Sequence, residues 1–387
     1  MIRRIKKEEG FTIVELMITM VIFVLALAAS SQMFVGMLTN FKQQSRIAES
    51  NIEGLVGLEL LRYDIEQAGF GLFWDISGGA YANEAAAPAN VYNDAPNGVP
   101  RSFVLGDNLA PATTADPGLN NSDYLVVKST NAATNDAAQR FTYITKNPGQ
   151  PNILRGWGTL GNEQMAGADH VVILDLNQRR LINSGGFSAQ LSNNNFSFNS
   201  GANPPTFAFE PTRDVDNTFL VYGIKTNADG LAPRMPFNRA DYYVRIPAAG
   251  MPQRCAPNTG MLYKATVNHS NGALTEMPIM DCVADMQVVF AIDNTPTDTN
   301  INPDLFGAIP AGYTAQNIRD QVKEVRVYIV SHEGQADANY NFVGPININD
   351  RDLGNFKALT VGTGALEFSP NYRWKVHRMV LTPYNLR

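Results

Sequence analysis

From Phe11 to Leu38 the chain carries a single charged residue, Glu15, in an otherwise apolar run. Wound as an α-helix rising about 1.5 Å per residue, such a run crosses the ~30 Å hydrocarbon core of a bilayer with residues to spare. It predicts a membrane span. Upstream, Met1 to Gly10 forms a short leader with Arg3, Arg4, Lys6 and Lys7, followed by Glu8 and Glu9. Basic residues on this flank predict a cytoplasmic leader and export of everything after Leu38. Ala28-Ala29-Ser30-Ser31 could serve as an ordinary secretory cleavage site, which would discard the apolar segment. Glu15 argues against that reading, because a carboxylate near the start of a span costs up to ~2.5 kcal/mol and marks function.

From about Asn40 to Ala68 the pattern becomes amphipathic. Ile52, Leu55, Leu58, Leu61, Ile65 and Ala68 recur at spacings of three or four, which predicts one helical stripe. Arg62 stands three residues after Glu59 and four before Glu66, the spacing of helix-surface ion pairs. Gly69 and Gly71 predict the stop, and the absence of proline between Phe11 and Phe70 predicts one continuous helix of roughly 85 to 90 Å. Gly36, Gly54 and Gly57 are its expected weak points, each costing about 1 kcal/mol relative to alanine.

Beyond the helix, Ser77 to about Asn121 is rich in alanine, proline, asparagine and glycine and reads as loop. β-Branched and aromatic runs then predict strands at 123–129, 140–146, 170–176, 219–226, 242–246, 261–267, 284–292, 322–330 and 374–381. The Asn193-Asn194-Asn195 stretch predicts an exposed loop between them. A long helix followed by strands gives an α+β fold, a membrane-spanning helix packed on an antiparallel sheet with large loop-rich insertions. The expected layout is a leader at 1–10, a span at 11–38, the periplasmic half of the same helix at 39–69, and a β-rich periplasmic domain at 70–387 with inserted structure at about 71–240.

Composition narrows the function. At 387 residues and 44% hydrophobic content the chain can bury a substantial core. Its net charge is −6, and removal of a leader carrying +2 leaves −8, so no nucleic-acid footprint is expected. Cys255 and Cys282 are the only cysteines. In an oxidising periplasm they are expected to form a disulfide, ahead of a metal site or a pair of buried free thiols.

The string Gly10-Phe11-Thr12-Ile13-Val14-Glu15, behind a basic leader and ahead of an apolar helix, resembles the class III signal of type IV prepilins and type II secretion pseudopilins. The resemblance implies cleavage between Gly10 and Phe11 by a membrane peptidase that also N-methylates Phe11, and an assembly role for Glu15. Many major pilins carry a helix-breaking proline in the apolar half, and this chain has none there. Three further segments, Leu61 to Phe70, Asp281 to Phe290 and Val322 to Ile329, resemble PilW-type minor pilins. This likeness implies the partners: the prepilin peptidase/methylase, other minor pilins, a major pilin, the inner-membrane assembly platform, and a tip adhesin. It also implies a route from the inner membrane into the filament, with a minor pseudopilin of type II secretion as the alternative.

Other motifs offer little chemistry. Gly156-Trp157-Gly158-Thr159-Leu160-Gly161 matches a dinucleotide fingerprint, but a short polar stretch and a strand-like run follow it where a helix is required, so it reads as a turn. His170, His269, His332 and His377 are scattered, with no metal-ligand spacing. The acidic loops at Asp214 to Asn217, Asp293 to Asp298 and Asp350 to Asp352 lack EF-hand spacing. No catalytic residue, metal or cofactor is expected. A binding module, with the 77–121 stretch as an adhesin or DNA-recognition element, remains a second class of function.

Overall fold

A computed structural model describes residues 10–76, 81, 84–95, 98–145, 153–154, 169–181, 189–191, 198–199, 218–226, 231–296 and 302–386. Helix α1 runs unbroken over Ile13–Glu66, 54 residues, or about 81 Å. Its first half, Ile13–Leu38, has a mean hydropathy of 2.5 and no part of it is buried against the rest of the protein. Among the described side chains of the second half, burial against the head begins at Gly54.

Leu58, Leu61, Ile65 and Ala68 are buried as the periodicity predicts, whereas Leu55 is 66% exposed. At about 100° per residue, Leu55 lies roughly 120° round the helix from Leu61, while Gly54 lies only about 20° from it. Gly54, Gly57, Leu58 and Leu61 therefore make the true contact line. The side chain of Ile52 lies outside the described residues. Arg62 pairs with Glu66 at 2.9 Å and Glu59 at 3.4 Å on the exposed side, contacts that contribute only a few tenths of a kcal/mol. The chain then turns through Gly69 and Gly71, both at positive φ. A Cβ on Gly71 would also lie 2.5 Å from Thr130 Oγ1.

The main sheet is antiparallel throughout and starts with β1 (Phe103–Gly106) and β2 (Tyr124–Ser129). The chain then leaves it to build a second antiparallel sheet. Its strands are β3 (Phe141–Thr145), β4 (Ile153–Leu154), β5 (His170–Asp175), β6 (Ala189–Leu191), β7 (Phe198–Asn199) and β8 (Phe219–Lys225), in spatial order β4-β3-β8-β5-β6-β7. β9 (Asn238–Arg245) returns to pair with β2, followed by β10 (Gly260–Val267), β11 (Leu274–Ile292) and the short β12 (Leu305–Gly307). A helical turn, α2 (Ala315–Gln321), leads into β13 (Val322–Glu333). The hairpin β14 (Ile346–Asp350) and β15 (Gly354–Leu359) stands apart, and β16 (Arg373–Leu381) closes the order β1-β2-β9-β10-β11-β13-β16.

Every predicted strand is present; the short strands β4, β6, β7 and β12 and the helix α2 are additions to that reading, and three further differences follow. The loop reading of 77–121 misses β1, whose Phe103 is fully buried and packs edge-on against Phe290 at 5.5 Å. β11 begins at Leu274, well before the expected start, because its first half is exposed and polar in pattern. The β14–β15 hairpin was not visible, its asparagines and glycine reading as turn. The asparagine run at 193–195 lies outside the described residues.

β11 joins two half-sheets. Its residues up to Val283 pair with β10, and those from Val283 onward pair with β13. The change falls at Cys282, which sits at φ +55 beside register shifts in both ladders. Past this point Asp123, just before β2, fills the place a strand would occupy. Its backbone N–H donates to Met286 O at 2.8 Å, and its carboxylate accepts from Val288 N at 2.7 Å and Asn108 N at 2.8 Å.

Candidate functional site

The mouth of α1 is built by a reciprocal cap. Thr12 is the N-cap residue, and its Oγ1 accepts from Glu15 N at 3.3 Å. Glu15 Oε2 accepts in return from Thr12 N and Thr12 Oγ1, both at 3.0 Å. The spacing Thr-x-x-Glu satisfies two of the four amide groups left unpaired at a helix start. Gly10 has nothing within 4 Å of where a Cβ would sit, and Phe11 is 82% exposed. Among the described residues the junction is exposed, and the carboxylate of Glu15 is engaged by Thr12. Sequence reasoning singled out Gly10, Phe11 and Glu15 but missed Thr12, although the capping-box spacing was legible.

At the other end of α1 a buried polar contact joins helix to sheet. Lys264 Nζ on β10 lies 2.5 Å from Asp64 Oδ2, and Tyr242 on β9 donates its hydroxyl to the same oxygen at 2.6 Å. Burial raises the Asp64 carboxyl above its ordinary range, against the pull of Lys264 and Tyr242. Asp64 carried no special signal in sequence, since an aspartate among charged neighbours on a helix reads as solvated surface.

Cys255 and Cys282 form the expected disulfide, with Cα atoms 4.8 Å apart. It fastens the loop before β10 to the point where β11 changes partners. His332 packs beside it, and its Nε2 accepts the Ala256 amide at 2.8 Å. The two sulfurs and the His332 ring lie within 4.8 Å of one another, but sulfurs spent on an S–S bond are not thiolate ligands. Breaking the bridge by Cys282→Ser is expected to lower stability by about 3 kcal/mol in the chain-entropy view, measured by thermal unfolding with and without reductant.

Burial, with the nearby Arg254 cation adding to it, lowers the His332 pKa from 6.5 to about 4. The folded state therefore favours the neutral ring. The stabilisation is complete above pH 6.5 and is lost as pH falls toward 4, amounting to about 3 kcal/mol across that window. His332→Gln is expected to flatten the pH dependence of stability in this range, measured by denaturant unfolding between pH 4 and 7.5.

The remaining histidines stay apart. His269 Nε2 faces Asn238 Oδ1 at 2.8 Å, and His377 Nε2 faces Ser331 Oγ at 3.0 Å. Asp350 and Asp352 already hold a cation of the protein's own, the Arg326 guanidinium at 2.9 and 2.6 Å. The fingerprint at 156–161 and the acidic loop at 214–217 lie outside the described residues.

Comparison with known families matches the chain in two places. A model for the prokaryotic N-terminal methylation motif covers residues 5–31, around the capped junction and the start of the apolar helix. A model for type IV pilus-assembly protein W covers residues 241–382, from β9 to β16. No curated protein and no solved structure matches the chain. A methylation motif on a membrane-length helix that continues into an antiparallel sheet supports a type IV pilin. More narrowly, the two matches together support a PilW-like minor pilin that takes part in type IV pilus assembly. Such a protein is membrane-anchored through α1, and the motif implies dealings with prepilin peptidase and with other pilus components.

Proposed function

We propose that prepilin peptidase cuts this chain between Gly10 and Phe11, methylates the Phe11 amine, and leaves a non-catalytic subunit that helps start pilus assembly. The observation that carries this is the arrangement at the mouth of α1, where an exposed glycine–phenylalanine bond stands just ahead of a carboxylate held, among the described residues, by Thr12. Cutting there spares the capping box, because Thr12 and Glu15 both lie downstream. The new amine then provides a positive charge at the edge of an apolar medium, where an unpaired carboxylate is costly. Glu15 exchanges part of its hydrogen bonding with Thr12 for the Phe11 amine of a neighbouring subunit as the helices bundle.

The partners are other minor pilins, the major pilin, the inner-membrane platform and a tip adhesin. In this layout 1–10 is a cytoplasmic leader, 11–38 the span, 39–69 the periplasmic half of the helix and 70–387 the exported domain. The protein passes from the inner membrane into the extracellular filament. Glu15→Gln, which keeps the shape but removes the charge, is expected to cut incorporation into sheared filaments at least about tenfold, the effect of losing some 1.4 kcal/mol. Quantitative immunoblotting of membrane and filament fractions measures it, with cleavage checked by the mass of the N-terminal peptide. Incorporation equal to wild type would overturn the role of Glu15.

A further inference from the structure

Asp64, Lys264 and Tyr242 come from three different elements and meet in the main core, next to Leu61, Ile65, Leu125 and Leu262. The side chains of Asp64 and Lys264 are 1% and 2% exposed. Lys264 and Tyr242 are the only groups acting on the carboxyl among the described residues. A lone ion pair this dry bears a desolvation cost that a single Coulomb contact barely offsets. Transfer of one proton from the ammonium to the carboxylate relieves that cost and leaves a neutral amine against a carboxylic acid. Because Oδ2 is bonded to Cγ, an amine 2.5 Å from Oδ2 lies close to the roughly 3–3.5 Å at which a nucleophile begins to attack carbon.

We propose that Lys264 and Asp64 condense into an intramolecular isopeptide bond, with Tyr242 polarising the carboxyl. The Nζ lone pair forms the bond to Cγ, and the hydroxyl of Tyr242, already 2.6 Å from Oδ2, donates to that oxygen as negative charge gathers on it. The Cγ–Oδ1 bond then breaks. Oδ1 departs as water, taking its own proton and one from Nζ, while Oδ2 stays as the amide carbonyl and keeps the Tyr242 hydrogen bond. Two buried ionisable groups are replaced by one neutral amide.

Among the described residues, the other fully buried lysine shows why this pair is singled out. Lys128 contacts both Glu84 at 2.7 Å and Asp94 at 2.6 Å, within a cluster that also holds Arg239 and Arg101. Lys128 and Arg101 hold the Asp94 carboxyl below its ordinary range, so it stays ionised and unreactive. The site also has a mechanical logic. Force along α1 reaches the head through residues 54–68 and the turn at Gly69, and an amide at Asp64 would tie the last helical turns covalently to the middle of the sheet.

The test is the mass of the full chain purified in detergent. It is expected to be lighter by one water than the disulfide-bonded chain, and proteolysis should yield a branched peptide joining the segment around Asp64 to that around Lys264. Lys264→Arg should restore the unlinked mass. Tyr242→Phe should slow bond formation by about a hundredfold, the usual effect of removing one such donor, followed from the linked fraction over time after pulse-labelled synthesis. A wild-type chain with the unlinked mass and only linear peptides overturns the proposal. A Tyr242→Phe chain that links at the wild-type rate overturns the role given to the tyrosine.

Discussion

Gly57→Ala is expected to destabilise the head by about 3 kcal/mol or more, although alanine improves helix propensity by about 1 kcal/mol. A Cβ at Gly57 would stand 1.9 Å from the backbone oxygen of Ile279, on the exposed half of β11 that crosses the helix. Backbone on both sides cannot yield as a side-chain tip can, so the helix and strand would have to separate. Gly54→Ala makes the control. Its Cβ would meet Met280 Cε at 3.3 Å, and a flexible methionine tip can turn aside. That substitution should be neutral or stabilising by up to about 1 kcal/mol. Thermal unfolding of both variants in detergent measures the contrast. Equal effects at the two positions would show that propensity, and not contact, governs this stretch of α1.

Asp64→Ala is expected to cost about 3 to 5 kcal/mol, because it leaves the Lys264 ammonium buried with no carboxylate and the Tyr242 hydroxyl with no acceptor. The cost should concentrate on the attachment of α1 to the sheet, since Asp64 contacts both β9 and β10 from the helix. Adding Lys264→Met to Asp64→Ala should recover part of the loss by removing the uncompensated charge. Denaturant unfolding of the two single variants and the double variant gives the coupling. Single losses that merely add would show that the pair does not act as a unit.

Much of this architecture was legible in the order of residues, and the reason is local. The span of α1 needs only a long apolar run, its continuity needs only the lack of proline, and its end needs only two glycines able to adopt positive φ. Strands such as β8 and β13 were visible because both are rich in residues that suit a pleated, buried surface. β1 was hidden because four residues inside an alanine- and asparagine-rich stretch are too few to show a period. The first half of β11 was hidden because it is exposed and carries Thr275, Glu276 and Pro278.

The site divides in the same way. Gly10, Phe11 and Glu15 lie within six residues, so their relation is set by chain spacing and survives any arrangement of the head. Thr12 belonged to that readable group. Asp64, Lys264 and Tyr242 come together only across hundreds of residues of intervening chain, and no pattern in sequence marks a carboxylate that will be buried by strands folded far away. Gly57 is the plainest case. By sequence it is a soft point in a helix, and only the passage of Ile279 over it makes the missing side chain a requirement. The sequence alone thus determined the long apolar helix, the capped glycine–phenylalanine junction at its mouth and the α+β class, because each rests on contacts between near neighbours. The tertiary structure alone decided which face of α1 the head grips, where β11 changes partners and which charges are enclosed, because those depend on distant segments excluding water from one another.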